Sequence, residues 1–108
     1  MLALSETNVN YYIYIIRCKD GSLYTGYTRN IKRRIFEHNF SKWGAKSIKG
    51  RLPVELVYSE TYTTKAEALR REIEIKGWNR KKKLALIKNA HGITSDALAL
   101  TNEVRKRE

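Results

Sequence analysis

Two β-favouring segments joined by a turn sequence most constrain what this chain can fold into. Residues 11–18 read YYIYIIRC and residues 23–28 read LYTGYT, and both are rich in aromatic and β-branched residues. Between them, residues 19–22 read KDGS and contain the Asp-Gly pair that favours a tight hairpin turn. An antiparallel hairpin is therefore predicted. Gly26 inside the second strand indicates a β-bulge or a point where another group approaches the backbone closely.

A helix is predicted directly after the hairpin. In residues 31–40 (IKRRIFEHNF), Ile31, Ile35 and His38 or Asn39 recur at helical spacing, and Asn30 is a suitable N-cap. Residues 41–51 (SKWGAKSIKGR) follow as a basic loop with two glycines.

A third strand and a second helix are predicted next. Pro53 precedes the alternating segment VELVYSETY, which is typical of a strand. In the segment TKAEALRREIEIKGW that follows, Thr63 or Thr64 can cap the helix, with Glu67 placed for a capping box to Thr64. One face of this helix is marked by Ala66, Leu69, Ile73 and Lys76 or Gly77, with Ile75 to one side.

A last helix is predicted over RKKKLALIKNA, capped by Asn79 and ending near Gly92. The tail over residues 91–108 is expected to add a short helix or to be frayed. Residues 10–90 are thus predicted to form one α+β domain, in which helices flank a small three-stranded antiparallel sheet in the order β-β-α-β-α-α.

The charge of the chain predicts an anionic partner. Lys and Arg number 22 against 11 Asp and Glu in 108 residues, which gives a net charge of +11. Such a charge favours nucleic acid first and an anionic membrane surface second, although it can also serve solubility alone. The first ten residues do not resemble a signal peptide, and no apolar segment approaches the roughly 20 residues that cross a bilayer. We therefore predict a cytoplasmic protein without membrane association.

Cys18 is the only cysteine, which excludes a disulfide framework and a cysteine-based zinc site. Its apolar neighbours predict a buried thiol rather than a nucleophile.

Short motifs on the hairpin carry a family resemblance. Residues 12–14 read YIY and residues 24–26 read YTG, and this ordered pair resembles the GIY and YIG half-motifs of the GIY-YIG nuclease family. Arg34 and His38 follow on the first helix at matching positions, and the segment EALRREIEIK resembles the family's metal-binding helix with Glu72 at the ligand position. The chain is most similar to the small, single-domain bacterial members. It departs from the pattern in having Tyr for the first Gly and Thr for the second Ile.

The resemblance implies a metal-dependent endonuclease that hydrolyses phosphodiester bonds, with DNA as the expected substrate. Tyr14 or Tyr24 would act as general base, and Arg34 would clamp the scissile phosphate. Glu72 would hold one Mg²⁺ or Mn²⁺ ion, bound weakly without substrate. His38 would shuttle a proton or orient a tyrosine.

Basic and aromatic residues are predicted to bind nucleic acid through its backbone rather than its base edges. These residues are Tyr27, Arg33, Lys42, Trp43, Lys46, Lys49, Arg51, Arg80, Lys81 and Lys82. Trp43 has two interpretations, a ring that stacks on an unpaired base or a hydrophobic plug under the loop.

Alternative functions remain open at the level of sequence. The first is a non-catalytic or weakly active nucleic-acid-binding module on the same fold, and the second is a protein-interaction domain with an acidic partner. Taken alone, Tyr14 and Tyr24 are ordinary half-buried strand aromatics, and Glu72 is an exposed helix residue able to pair with Lys76. Branched or single-stranded DNA, a protein partner that supplies specificity, and a setting in DNA repair are expectations from resemblance.

Overall fold

The order of helices and strands follows the prediction. The computed structural model describes residues 10–98. The elements are β1 (Tyr11–Cys18), β2 (Leu23–Thr28), α1 (Ile31–Phe40), a short 3-10 helix (Lys46–Arg51), β3 (Val54–Tyr62), α2 (Lys65–Lys76) and α3 (Arg80–Leu98). The predicted α+β class, with its three-stranded antiparallel sheet, is therefore confirmed.

The hairpin turn forms as its sequence predicts. Gly21 adopts a φ of 87°, a left-handed conformation that glycine reaches without steric cost. The Asp20 carboxylate accepts hydrogen bonds from the backbone N–H of Ser22 at 3.0 Å and from its hydroxyl at 2.6 Å. These contacts fix the turn that returns the chain into β2.

The sheet has the strand order β2-β1-β3, so β1 lies at its centre. Tyr14 lies opposite Gly26 on β2 and Ser59 on β3, whereas Ile13 lies opposite Tyr27 and Glu60. Because side chains alternate along a strand, Tyr14 and Ile13 point to opposite faces of the sheet. The register shift lies between Ile15 and Ile16 in the pairing with β3, not at Gly26.

The first face of the sheet carries one hydrophobic core. Its buried members are Tyr14, Ile16, Cys18, Ile48 and Val54. Partly buried side chains from α1 and from the loop after it pack against this cluster, among them Ile35 and Ala45. The predicted burial of the Cys18 thiol is confirmed, with 4% of the residue exposed.

The second face of the sheet is covered by α2. Glu60 belongs to this face, and Arg71 of α2 binds its carboxylate in bidentate fashion, with Nε–Oε1 at 2.9 Å and Nη2–Oε2 at 3.0 Å. The hydroxyls of Tyr58 and Tyr62 also donate to Glu60. A network of this kind ties the helix to the edge strand through charge-assisted hydrogen bonds.

The predicted inner face of α2 is wrong. Ala68 and Ile75 are fully buried, whereas Ala66 is exposed and 68% of Ile73 is exposed. The buried positions lie seven residues apart, with the partly buried Arg71 between them. The prediction relied on the spacing of apolar residues, and the inner face contains a charged residue, Arg71.

The helix caps confirm the local sequence signals. The Asn30 side chain accepts from the N–H of Arg33 at 3.0 Å, and the Thr64 hydroxyl oxygen accepts from the N–H of Glu67 at 3.2 Å. Each bond satisfies a first-turn N–H that the helix itself leaves unpaired. The bond from the Glu67 N–H is one half of the expected capping box, while the Glu67 carboxylate accepts from the Thr64 hydroxyl at 3.0 Å.

Two segments differ from their predictions. Residues 46–51 of the basic loop form a 3-10 helix, because Ile48 is buried and anchors the segment to the core. α3 lies in a second compact unit that begins at Trp78, and Asn79 caps it by accepting from the N–H of Lys82 at 2.9 Å. The helix continues through Gly92 to Leu98, so its predicted end was too early. The rest of the predicted tail lies outside the described residues.

No helix in the described part of the chain combines the length and the apolar composition needed to span a bilayer.

Thr25 provides a stability test of the second face. Its hydroxyl is buried and has no hydrogen-bond partner among the described residues. We expect Thr25→Val, which keeps the shape of the side chain, to raise the free energy of unfolding by about 1 kcal/mol, because an unsatisfied buried hydroxyl is costly. Urea denaturation measures the change, and Thr28→Val on the same strand, where the hydroxyl is hydrogen-bonded, is the control. A destabilised Thr25→Val protein would contradict the assignment.

Candidate active site

The centre of the candidate site is the hydroxyl of Tyr14. The tyrosine is 1% exposed, and its Oη lies 2.9 Å from Nε2 of His38 on α1. A Cβ added to Gly26 would lie 2.4 Å from this Oη, so only glycine leaves room for the ring on the neighbouring strand. The close approach predicted at Gly26 is therefore made by Tyr14 itself.

The rings of Tyr24 and His38 lie beside the Tyr14 ring. The Tyr24 ring centroid lies 6.4 Å from that of Tyr14 and 5.5 Å from that of His38, in an edge-on arrangement with the imidazole. The centroids of Tyr14 and His38 are 6.0 Å apart. The sheet register and the spacing on α1 thus bring the two predicted tyrosines and the predicted histidine together.

Burial and charge set the protonation of this cluster. Burial raises the pKa of the Tyr14 hydroxyl to about 12, the neighbouring Arg34 guanidinium opposes that rise, and the negative charge of Glu72 adds to it. Burial lowers the pKa of His38 to about 4, and the positive charge of Arg34 acts in the same direction. At neutral pH, Tyr14 is therefore protonated and His38 is neutral.

Arg34 is held by an acidic side chain and by a loop carbonyl. Its Nη1 donates to Oε1 of Glu37 at 2.9 Å and to the backbone oxygen of Trp43 at 3.0 Å. The Glu37 carboxylate also contacts Nε of Arg33 at 3.2 Å. Because Nη1 carries two protons, these contacts occupy it, and the guanidinium is also hydrogen-bonded to the Tyr14 side chain.

Glu72 lies on α2, and its side chain is 16% exposed. Its Oε2 is 3.1 Å from Nζ of Lys76, the i,i+4 pair that the sequence allows. The negative charge of this carboxylate contributes to the raised pKa of the Tyr14 hydroxyl. Glu72 of α2 therefore acts on the cluster that β1 and α1 form. Tyr14, Tyr24, Arg34, His38 and Glu72 are thus linked by contact or by charge.

Most of the predicted nucleic-acid-binding residues of the first compact unit are exposed. They are Arg33, Lys42, Trp43, Lys46, Lys49 and Arg51. Nζ of Lys49 donates to the backbone oxygen of Lys42 at 3.0 Å, and Nζ of Lys42 lies 5.1 Å from the centroid of the Trp43 ring. These three side chains therefore form one basic and aromatic patch on the segment that also contacts Arg34.

The plug interpretation of Trp43 is wrong, because 68% of the residue is exposed. Ile48, which is 2% exposed, anchors the segment instead. The Trp43 ring is thus available for contact with a ligand.

Two other predicted binding residues of the first compact unit, Tyr27 and Arg51, have different surroundings, and residues 80–82 belong to the second unit. Tyr27 pairs with Ile13, so its side chain lies on the sheet face opposite that of Tyr14, where its ring stacks on Tyr11 with centroids 6.4 Å apart. Arg51 lies 3.5 Å from the Asp20 carboxylate at the hairpin turn. Residues 80–82 begin α3 in the second compact unit.

A comparison with protein families decides the family. The family described as the GIY-YIG catalytic domain matches residues 10–85. The chain belongs to this family. The altered half-motifs YIY and YTG of this GIY-YIG domain lie on the paired strands β1 and β2. Because the family is one of nucleases, membership implies endonuclease-type activity on nucleic acid.

Relatives support the same assignment. A UPF0213 protein of Staphylococcus epidermidis is 57% identical over 77 residues, which cover 71% of this chain and 93% of the relative. A UPF0213 protein of Staphylococcus saprophyticus is 60% identical with the same coverage. The solution NMR structure of a UPF0213 protein from Bacillus halodurans shares 43% identity at a TM-score of 0.53, covering 85% of this chain and 97% of that one. These relatives confirm the predicted subgroup of small, single-domain GIY-YIG proteins.

Sequence reasoning missed several groups that hold the site of this GIY-YIG domain together. Glu37 binds Arg34, and the backbone groups of Trp43 and Ala45 contact Arg34 and His38. The i,i+3 spacing of Arg34 and Glu37 was a usable signal for the first contact. The backbone contacts leave no mark on residue type, because every non-proline residue offers the same N–H and carbonyl.

Proposed function

We propose that this GIY-YIG protein is a divalent-metal-dependent endonuclease that hydrolyses phosphodiester bonds of DNA, with Tyr14 as the general base. The observation that supports the proposal is the contact of a buried tyrosine hydroxyl with His38 at 2.9 Å, beside a guanidinium and within the field of a carboxylate. A tyrosine in such surroundings is perturbed in the way that catalytic residues are.

The base step requires the phenolate form of Tyr14. The phenolate takes a proton from a water molecule, the water oxygen attacks the phosphorus atom, and the bond to the leaving oxygen breaks. The leaving oxygen then takes a proton from solvent. Because burial raises the pKa of Tyr14 to about 12, the phenolate is scarce at neutral pH, and the Arg34 guanidinium favours it.

Arg34 is suited to hold the scissile phosphate. Glu37 and the carbonyl of Trp43 fix the position of its Nη1. A guanidinium offers five N–H donors, so Arg34 can still donate to phosphate oxygens beside its hydrogen bond to Tyr14. A guanidinium held in place by the protein loses little further freedom when the substrate binds.

Glu72 fits a hard cation that takes few protein ligands. The described residues contain no group of three or more His, Cys, Asp or Glu side chains able to enclose a metal ion. Mg²⁺ and Mn²⁺ need no such group, since Mg²⁺ keeps several waters and completes its shell with substrate oxygens. Lys76 contacts Oε2 of Glu72 and leaves Oε1 for another ligand. When bound, such an ion supplies Lewis acidity that neutralises charge on the leaving oxygen.

The binding surface that we propose for DNA is the patch of Lys42, Trp43 and Lys49. The lysines contact phosphates without regard to sequence, and the exposed indole stacks on an unpaired base. Trp43 joins the two parts of the site, because its carbonyl holds Arg34 while its ring faces solvent.

The proposal is tested by incubating the protein with labelled duplex, single-stranded and branched DNA in Mg²⁺, in Mn²⁺ and in EDTA. We expect products that require metal. A Glu72→Gln protein purified in parallel identifies a contaminating nuclease, since contaminant activity would be the same in both preparations. Metal-independent products, or none at all on any DNA, would refute the proposal.

The second candidate is a nucleic-acid-binding module with little or no catalysis. Two observations favour it. The high pKa of Tyr14 makes the phenolate base scarce, and the Lys76 ammonium contacts the Glu72 carboxylate that would hold the metal. Binding that weakens steeply with salt, in the absence of any product, would support this candidate.

A further inference from the structure

The loop after α1 contacts two side chains of the candidate site, Arg34 and His38. The backbone N–H of Ala45 donates to Nδ1 of His38 at 3.3 Å, and the carbonyl of Trp43 accepts from Arg34 at 3.0 Å. The loop is itself anchored on α1, because the N–H of Ser41 donates to the carbonyl of Glu37 at 3.0 Å.

The contact with Ala45 fixes the tautomer of His38. A backbone N–H can only donate, so Nδ1 must be the acceptor and carries no proton. The single proton of the neutral imidazole then lies on Nε2, which points at Oη of Tyr14 2.9 Å away. His38 is therefore the donor and Tyr14 the acceptor in the bond between them.

Gly44 is what allows the loop to come so close. A Cβ on this residue would lie 2.8 Å from Cα of His38 and 2.9 Å from the carbonyl oxygen of Glu37. Both atoms belong to the backbone of α1 and cannot rotate away as a side chain could. Any larger residue would push the loop off the helix and separate Ala45 from the imidazole.

We propose that Gly44 and the backbone of Ala45 fix His38 as a hydrogen-bond donor to Tyr14, so that His38 positions the tyrosine and does not shuttle its proton. The catalytic role of His38 rests on the proposed function, whereas its tautomer does not. Because the lone pair of the imidazole is occupied on Nδ1, Nε2 has none with which to accept the proton of Tyr14. An Nε2–H donor instead stabilises negative charge on Oη when the tyrosine acts as base.

The tautomer is measured directly by two-dimensional ¹⁵N–¹H NMR of protein labelled at histidine. The chain has two histidines, and a His91→Gln protein assigns the signals. We expect the proton of His38 on Nε2 throughout the range from about pH 5 to 8 in which an ordinary histidine titrates. A proton on Nδ1, or exchange between the two nitrogens, would overturn the inference whether or not the protein cleaves DNA.

The role of the loop is tested by Gly44→Ala, with Gly50→Ala as the matched control. A Cβ at Gly50 meets no atom within 4 Å, so this substitution leaves the loop in place. We expect the Nδ1 resonance of His38 to move in Gly44→Ala and to stay unchanged in Gly50→Ala. An unchanged resonance in a folded Gly44→Ala protein would refute the positioning role of the glycine.

Cleavage rates of His38→Gln and His38→Met separate a donor from a proton shuttle. The glutamine amide can donate to Tyr14 but cannot take its proton, whereas methionine has a similar length and no donor. A donor role predicts that His38→Gln stays within about tenfold of the wild-type rate and that His38→Met loses about a hundredfold. Equal losses in the two variants would indicate a shuttle. If the wild-type protein does not cleave, the proposed function fails while the NMR result still decides the tautomer.

Discussion

Replacing Glu72 by glutamine is expected to slow DNA cleavage about a thousandfold, the effect of losing roughly 4 kcal/mol of charge stabilisation in the transition state. The amide keeps the size of the side chain but removes the negative charge that would attract a divalent ion. Loss of the contact with Lys76 should cost the fold no more than about 0.5 kcal/mol, because an i,i+4 pair whose lysine is half exposed contributes little. Single-turnover rates at saturating Mg²⁺ measure the effect.

The matched control is Glu74→Gln. It makes the same substitution on the same helix at a carboxylate that is 54% exposed and bound to Arg71. We expect its cleavage rate to stay within about twofold of the wild type, since surface substitutions away from the site perturb little. Equal rates for Glu72→Gln and Glu74→Gln would remove Glu72 from the metal site and require another ligand.

Gly26→Ala is expected to lower the free energy of unfolding by about 3 kcal/mol, the upper end for overpacking a core. The new Cβ would lie 2.4 Å from Oη and 2.5 Å from Cζ of Tyr14. The tyrosine cannot retreat, because it is 1% exposed and hydrogen-bonded to His38. Such a loss is a large part of the roughly 5–15 kcal/mol that stabilises a typical domain. Urea or thermal denaturation measures it.

Two further variants test whether the collision with Tyr14 causes the loss of stability. Gly50→Ala, where an added Cβ meets nothing within 4 Å, should change stability by no more than about 0.5 kcal/mol. In a Tyr14→Leu background, the phenol that would collide with the new Cβ is absent, so Gly26→Ala should cost less than about 1 kcal/mol. A cost that is the same in both backgrounds would show that Tyr14 is not the colliding group.

Local signals predicted the local parts of the fold. The turn at Asp20 and Gly21, the cap at Asn30 and the cap at Thr64 each depend on residues within three or four positions of one another. The inner face of α2 depends instead on Glu60 of β3, whose carboxylate lets Arg71 be partly buried. A pattern of apolar residues cannot reveal a charged residue on an inner face when its partner comes from another element.

The candidate site likewise has parts that the sequence predicted and parts that it did not. Family resemblance identified Tyr14, Tyr24, Arg34, His38 and Glu72 as a set, and the fold relates them by contact or charge. Their catalytic and metal-binding roles stay predictions. The loop contacts that orient two of these residues were not predicted, because they come from backbone groups.

The position of β1 between β2 and β3 bears on the order in which the chain folds. The β1–β2 hairpin joins residues that are close in sequence, and hairpins form in about 1–10 μs. β3 reaches β1 only after the long intervening segment with α1 has closed, which adds loop-closure entropy and slows the step. We therefore expect the hairpin to be structured in the folding transition state and β3 to dock later. Tyr14 would then meet Gly26 before the sheet is complete.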